Sequence, residues 1–284
     1  PMRLTLIIAL LALFSLSSFS QTQVYNKSSV QKGKLYIYWG WNWSWYTKSN
    51  ITFEGNNYNF TLDNVTAKDR QSPFDANIYL NPANATIPQY NFRVGYFIND
   101  HYNISFGIDH MKYVMQNGQT VKITGTIDST GTAYDGVYNN DDIILSDDFL
   151  LFEHTDGLNY PNIEFRRFDQ IYALKNFNIN ITEGLGVGIL YPKTNTTILG
   201  NERYDEFHLA GFGISGVVAV NFTFFKWFFI QSEFKGGYIN MPDIRTTNST
   251  YDKASQDFFF GSVNVVFGGT INLGKKKNST RDTN

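Results

Sequence analysis

From Gln256 to Gly274 apolar and polar positions alternate: Phe259, Val263, Val265, Phe267, Ile271 and Leu273 fall on one side, Ser262, Asn264, Gly268, Thr270 and Asn272 on the other. A side-chain period of two is that of a β-strand, so one face is greasy and the other small or polar. The stretch is far longer than the about five or six residues usual for a soluble strand. Seven further segments alternate: Lys34–Tyr46, Tyr90–Ile98, Tyr102 to about Met115, about Tyr160 to Ile171, Phe177–Tyr191, Phe207–Phe222 and Trp227–Ile239. In the first, Leu35, Ile37, Trp39, Trp41, Trp43 and Trp45 share a face opposite Tyr36, Tyr38, Gly40, Asn42 and Ser44.

The connections alternate too. Asn99–His101, about Tyr172–Asn176 and Thr223–Lys226 are tight; roughly Thr47–Gln89, Gln116–Asn159, Pro192–Glu206 and Met241–Ser255 are long. Barrels of outer membranes have short periplasmic turns and long external loops, whereas nothing forces a secreted β-sandwich to alternate its connections. The pattern predicts an all-β fold, an antiparallel up-and-down transmembrane β-barrel of eight strands, with ten to twelve the alternative. A hairpin, Ile51–Phe53 against Tyr58–Leu62, and a strand within Gly118–Ile127 either raise the count or extend the barrel above the membrane.

Composition sharpens the picture. Met2-Arg3, the apolar run Leu4–Phe14 and the small residues Ser18 and Ser20 read as a Sec-type signal peptide over residues 1–20, cut between Ser20 and Gln21. Residues 21–33 then form a periplasmic segment, 34–274 the barrel and 275–284 a basic tail whose Lys275-Lys276-Lys277 would meet periplasmic headgroups. No other long apolar run follows, and mean hydropathy is negative, but alternation hides a barrel's apolar surface from such an average. A net charge of -2 offers no footprint for nucleic acid, and without cysteine there is neither disulfide nor thiolate metal site. Aromatic residues reach 17%. They suit interface girdles, Trp227 beside a tight turn among them. Four indoles on one face exceed a girdle's needs and suit lipid contact or a partner barrel.

With apolar faces outward, Arg93, Asp109, Glu164, Arg166, Gln231, Glu233 and Lys235 converge inside. Eight strands leave an interior just wide enough for side chains to fill, so these charges must pair, because an unpaired buried charge is costly. A salt-bridge plug is expected; a polar conduit for small solutes needs ten strands or more. Glu183 interrupts an apolar face, and a bulge near Thr182, eased by Gly184, Gly186 and Gly188, would turn it inward. Asp135, Asp141, Asp142, Asp147 and Asp148 gather in one loop without EF-hand spacing, so a solvated loop rather than a metal site is expected, and no cofactor.

These features resemble the small outer-membrane β-barrels of Gram-negative bacteria over roughly Lys34–Gly274. Tyr38-Trp39-Gly40-Trp41-Asn42, Tyr46–Ile51, Tyr58–Leu62 and Asp69-Arg70 are also similar to a family of uncharacterised Bacteroidota envelope proteins, which implies no activity. The chain departs from the usual barrel ending, closing on Leu273-Gly274 and lysines instead of a terminal aromatic. The resemblance implies outer-membrane localisation. Its implied partners are membrane lipid and lipopolysaccharide, the barrel assembly machinery and an extracellular ligand held by long loops. The expected role is structural or surface-binding; a narrow pore and a lipid-modifying enzyme are the alternatives. Outer-membrane phospholipase A and lipid A deacylase pair Ser with His near the outer rim. None of the four histidines here has such a serine, and His154, Asp156 and Asn159 form the one candidate rim site.

Overall fold

A computed structural model describes residues 30–79, 81–84 and 86–273. The expected signal peptide, most of the segment after it and the basic tail lie outside the described residues. Among the described residues fifteen strands follow one another. They are β1 (Lys34–Tyr46), β2 (Ser49–Gly55), β3 (Tyr58–Val65), β4 (Ala67–Lys68) and β5 (Tyr90–Phe97). Then come β6 (Tyr102–Met115), β7 (Thr120–Ile127), β8 (Gly136–Ile144), β9 (Leu150–Ala173) and β10 (Phe177–Leu190). The last are β11 (Lys193–Ile198), β12 (Tyr204–Phe207), β13 (Gly211–Phe224), β14 (Phe228–Arg245) and β15 (Lys253–Asn272).

Eight of these close a ring in the order β1, β5, β6, β9, β10, β13, β14, β15, with β15 pairing back onto β1, every contact antiparallel. They are the eight alternating segments, and the fold is an up-and-down barrel. Its shear follows from the register. Trp45 faces Gly261, and the row continues through Gly236, Gly216, Leu185, Phe165, Ile104 and Tyr96 to Leu35, ten residues back on the starting strand. A shear of that size over eight strands tilts them by about 40°. The same row then climbs roughly 25 Å along the axis, the height of the apolar band on outer-membrane barrels.

The outer face supplies that band. Ile104, Phe106, Ile163, Leu185, Val187, Ile214 and Phe234 are all exposed. Aromatic rings edge it at both ends: Tyr102, Phe222 and Trp227 toward the tight turns, Tyr238, Phe259 and Trp45 toward the long connections. The Trp stripe is only partly free, since Tyr79, from the one-turn helix Ala76–Tyr79, lies 5.7 Å from Trp41.

Beyond the ring the chain builds a second layer. The upper part of β15 pairs with β2, and the sheet continues through β3 and β7 to β8. The strands β11 and β12 add to the upper part of β9. The expected hairpin and strand are β2, β3 and β7; they extend the barrel and leave the ring at eight. Ile51, Phe53, Phe60, Leu62, Ile123, Phe149 and Phe152 fill the space beneath this cap and are almost fully buried. Three elements escape the alternation rule. The strand β8 is exposed over most of its length, with only Ile143 buried, and its run Asn139–Asp142 shows no two-residue period. The pair β11 and β12 is short. On β9, a register shift opposite Met111–Tyr113, with Gly157 at φ 131°, breaks the period between His154 and Leu158, just before Tyr160.

Glu183 does not turn inward. The register of β10 shifts between Ile179 and Asn180, not at Thr182, and Thr182 is buried on the inner face. Glu183 therefore points outward, opposite Arg167, which holds Asp169 at 2.6 Å. The glycines after it serve crowding instead of bending. A Cβ at Gly184 would lie 2.6 Å from Arg166 Cγ, and one at Gly186 2.8 Å from Glu164 Cγ.

The turn from β13 to β14 is strained. Trp227 N donates to Phe224 O, and the central residues Phe225 and Lys226 have φ of 52° and 70°. Type I′ geometry favours Asn-Gly at these places. Phe225→Asn is expected to stabilise the folded barrel by about 0.5–1 kcal/mol. A chemical unfolding titration in detergent checks it; an unchanged midpoint would mean the Phe225 side chain compensates by its own contacts.

Candidate functional site

Alternation alone carries the inner-face side chains of six ring strands to the middle of the lumen. Glu164 is the hub: its carboxylate accepts from Arg93 Nη2 at 2.9 Å, Arg166 Nε at 2.5 Å and Lys235 Nζ at 2.6 Å. Arg166 Nη1 also reaches Glu233 at 2.7 Å, and Lys235 pairs with Asp109. Gln231 donates to Glu233 at 2.6 Å. All seven residues expected inside are thus in one cluster, and each is at most 4% exposed. Three cations face three anions, so the cluster is neutral, as burial of charge demands.

Residues the sequence reading did not single out complete the network. Tyr38 OH accepts from Arg93 Nε at 3.0 Å and Arg166 Nη2 at 3.1 Å, and donates to Glu233 at 3.1 Å. Asn162 accepts from Arg93 at 2.7 Å and donates to Asp109 at 2.9 Å; Asn264 donates to Glu233 at 3.0 Å. Lys235 Nζ stands 5.4 Å from the Tyr160 ring centre, a cation–π contact. The inner-face pattern of β1, β9 and β15 held the signal for Tyr38, Asn162 and Asn264, but neutral residues carry no charge to flag them.

The three rim candidates do not converge. His154 is fully buried in the cap, with Nδ1 3.0 Å from Thr194 Oγ1 and the rings of Tyr113 and Phe152 against it. Asp156 lies at the surface and pairs with Lys193 at 3.3 Å. Asn159 faces the other way and meets His110 at 2.8 Å. The bulge between His154 and Leu158 separates them. His154 with Thr194 is a histidine–hydroxyl pair, but 0% and 2% exposure leave no path for a substrate. The acidic loop disperses as well: Asp142 pairs with Lys122, Asp148 accepts from Tyr134 and Asp141 from the Asn139 backbone. Among the described residues no three of His, Asp and Glu come together as a metal site.

Burial lowers the His154 pKa from 6.5 to about 3. The unfolded chain therefore takes up the proton first as pH falls. Cap stability is complete above about pH 6.5 and declines from there toward pH 3, at up to ~1.4 kcal/mol per pH unit. His154→Gln is expected to flatten that decline while keeping a polar partner for Thr194. Urea midpoints at pH 7, 5.5 and 4, read by near-ultraviolet circular dichroism, test this; equal slopes in both proteins would remove His154 as the cause.

No family model matches the chain, and no curated protein matches it. Among solved structures it is similar to the outer membrane protein OprG from Pseudomonas aeruginosa, at 9% identity and a TM-score of 0.42, covering 87% of this chain and 100% of that one. It is also similar to Ail, the attachment invasion locus protein of Yersinia pestis, at 10% identity and a TM-score of 0.35, covering 84% and 99%. The N-terminal β-barrel domain of Pseudomonas aeruginosa OprF gives 6% identity and a TM-score of 0.28, covering 84% and 99%.

Proposed function

We propose that the chain is an integral outer-membrane barrel whose lumen is closed at mid-height, and that its role is structural or surface-binding through the cap. One observation carries this reading: a neutral, hydrogen-bonded charge cluster crosses the interior beneath a continuous apolar core. The exposed apolar band supports membrane residence, because only a closed barrel satisfies every backbone group of a sheet within lipid. The tight turns then face the periplasm and the cap faces outside, against lipopolysaccharide and any external ligand. Membrane lipid and the barrel assembly machinery are the partners such a chain requires, and the Bacteroidota-type resemblance fits this reading without adding an activity.

Two measurements test it. Protein extracted from outer membranes is expected to run as a compact SDS-resistant band that shifts on boiling. Recovery in a soluble fraction without that shift would overturn membrane residence. In planar bilayers the folded protein is expected to show no conductance steps; regular steps would replace the closed lumen with a narrow pore.

A further inference from the structure

The turn-side end of the lumen is not filled. A cavity of about 520 Å³ opens there, below the charge cluster. That is within the roughly 300–1,000 Å³ typical of small-molecule sites. Its walls are partly aromatic: Tyr36 packs on Phe97 at 5.6 Å, Phe97 on Phe168 at 5.3 Å, and Phe229 also lines it, while Asn178, Thr182, Asn221 and Thr223 supply a polar stretch from β10 and β13. Its inner end, farthest from the turns, is polar. Tyr38, Gln231 and Arg166 form it, the same atoms that face the cluster from below.

Arg166 is 2% exposed, yet its hydrogen bonding is incomplete. Glu164, Glu233 and Tyr38 take one N–H each on Nε, Nη1 and Nη2. A guanidinium has five N–H groups, so two have no partner among the described residues. The opening carries Lys34, Lys175 and Lys226, and no carboxylate lines the cavity among the described residues. Glu164 and Glu233 already balance Arg93 and Arg166 inside, and Asp100, which accepts from the Gln31 and Lys32 backbone at the same rim, offsets one of the three lysines; the rim keeps a net positive charge, which favours the entry of anions.

We infer that this cavity is a binding site, entered from the turn side, for a small organic acid with an apolar or aromatic body. The carboxylate reaches one of the unpaired N–H groups of Arg166, the body lies between Tyr36, Phe97, Phe168 and Phe229, and the rim lysines attract the anion. A charged hydrogen bond to a buried guanidinium is strong, and an apolar body gains by leaving water. The cluster that closes the lumen forms the inner end of the site, so an occupant returns by the way it entered.

The test uses the full chain folded in detergent, titrated calorimetrically with 2-naphthoate and its neutral isostere 2-naphthamide. The acid is expected to bind about tenfold more tightly than the amide. Ala173→Trp fills the cavity from the end of β9, where Ala173 lines it. It is expected to abolish acid binding while the band that shifts on boiling persists, which shows that the variant folds. The triple variant Lys34→Gln, Lys175→Gln, Lys226→Gln is expected to weaken the acid about tenfold, reduce its salt dependence and leave the amide unchanged. Equal affinity for acid and amide, or undiminished binding to folded Ala173→Trp, overturns the proposal, because binding would then lie on the micelle or the outer face. These titrations can fail while conductance stays silent, so the site and the closed lumen are judged separately.

Discussion

Glu164→Gln is expected to cost about 3–5 kcal/mol, the largest loss from any single interior substitution. The side chain is 0% exposed and serves Arg93, Arg166 and Lys235 together. Glutamine keeps the shape but removes the charge, leaving a net positive cluster among buried side chains. The expected result in detergent is a fall in the unfolding midpoint, with the compact band lost at lower temperature. The compensating change distinguishes charge from shape. Glu164→Gln with Lys235→Met removes one anion and one cation, and is expected to recover roughly half of the loss, since breaking one member of a buried pair costs more than removing both. If the double variant is no better than the single one, pairing is not what Glu164 contributes.

Phe53→Ala should cost a similar amount, about 3–5 kcal/mol, but in a different place. Phe53 is fully buried, stacked on Phe60 at 5.3 Å and edge-on to Phe152 at 5.5 Å. It lies in the cap, and β2 holds β15 through only four residue pairs, Ile51 to Glu54 against Lys253 to Gln256. The cavity left behind should open β2, β3 and β7 to fast amide exchange. The ring strands should stay protected and the boiling shift should remain. Loss of both together would mean that cap and ring unfold as one unit, which the narrow junction argues against.

The ring was legible because lipid and lumen impose opposite chemistry on alternate residues over long strands. The charged cluster was legible for the same reason: once β5, β6, β9 and β14 are phased, Arg93, Asp109, Glu164 and Lys235 have only one side left to occupy. The cap was half legible. The strands β2, β3 and β7 alternate around Ile51, Phe53, Phe60, Leu62 and Ile123, whereas β8 lies at a sheet edge, is exposed over most of its length, and through Asn139–Asp142 has no apolar residue to phase it. Glu183 was misread because glycines beside it suggested a bend; they are small because Arg166 and Glu164 lie against them. The turn-side cavity left no trace in the pattern, since a void depends on side-chain lengths on several strands at once.

The hydrogen-bonded cluster has a consequence for assembly. Its partners are far apart in the chain: Tyr38 meets Glu233 across 195 residues, and Lys235 meets Asp109 across 126. Arg93 can find Glu164 as soon as the β5–β6–β9 sheet forms, but Arg166 and Lys235 need strands from both halves. Until the last seam, β15 against β1, is sealed, Glu233 lacks Tyr38 and part of the cluster must stay hydrated. Expulsion of water from the core and sealing of the ring are thus one event, and a barrel halted with that seam ajar keeps a wet, charged interior facing the bilayer.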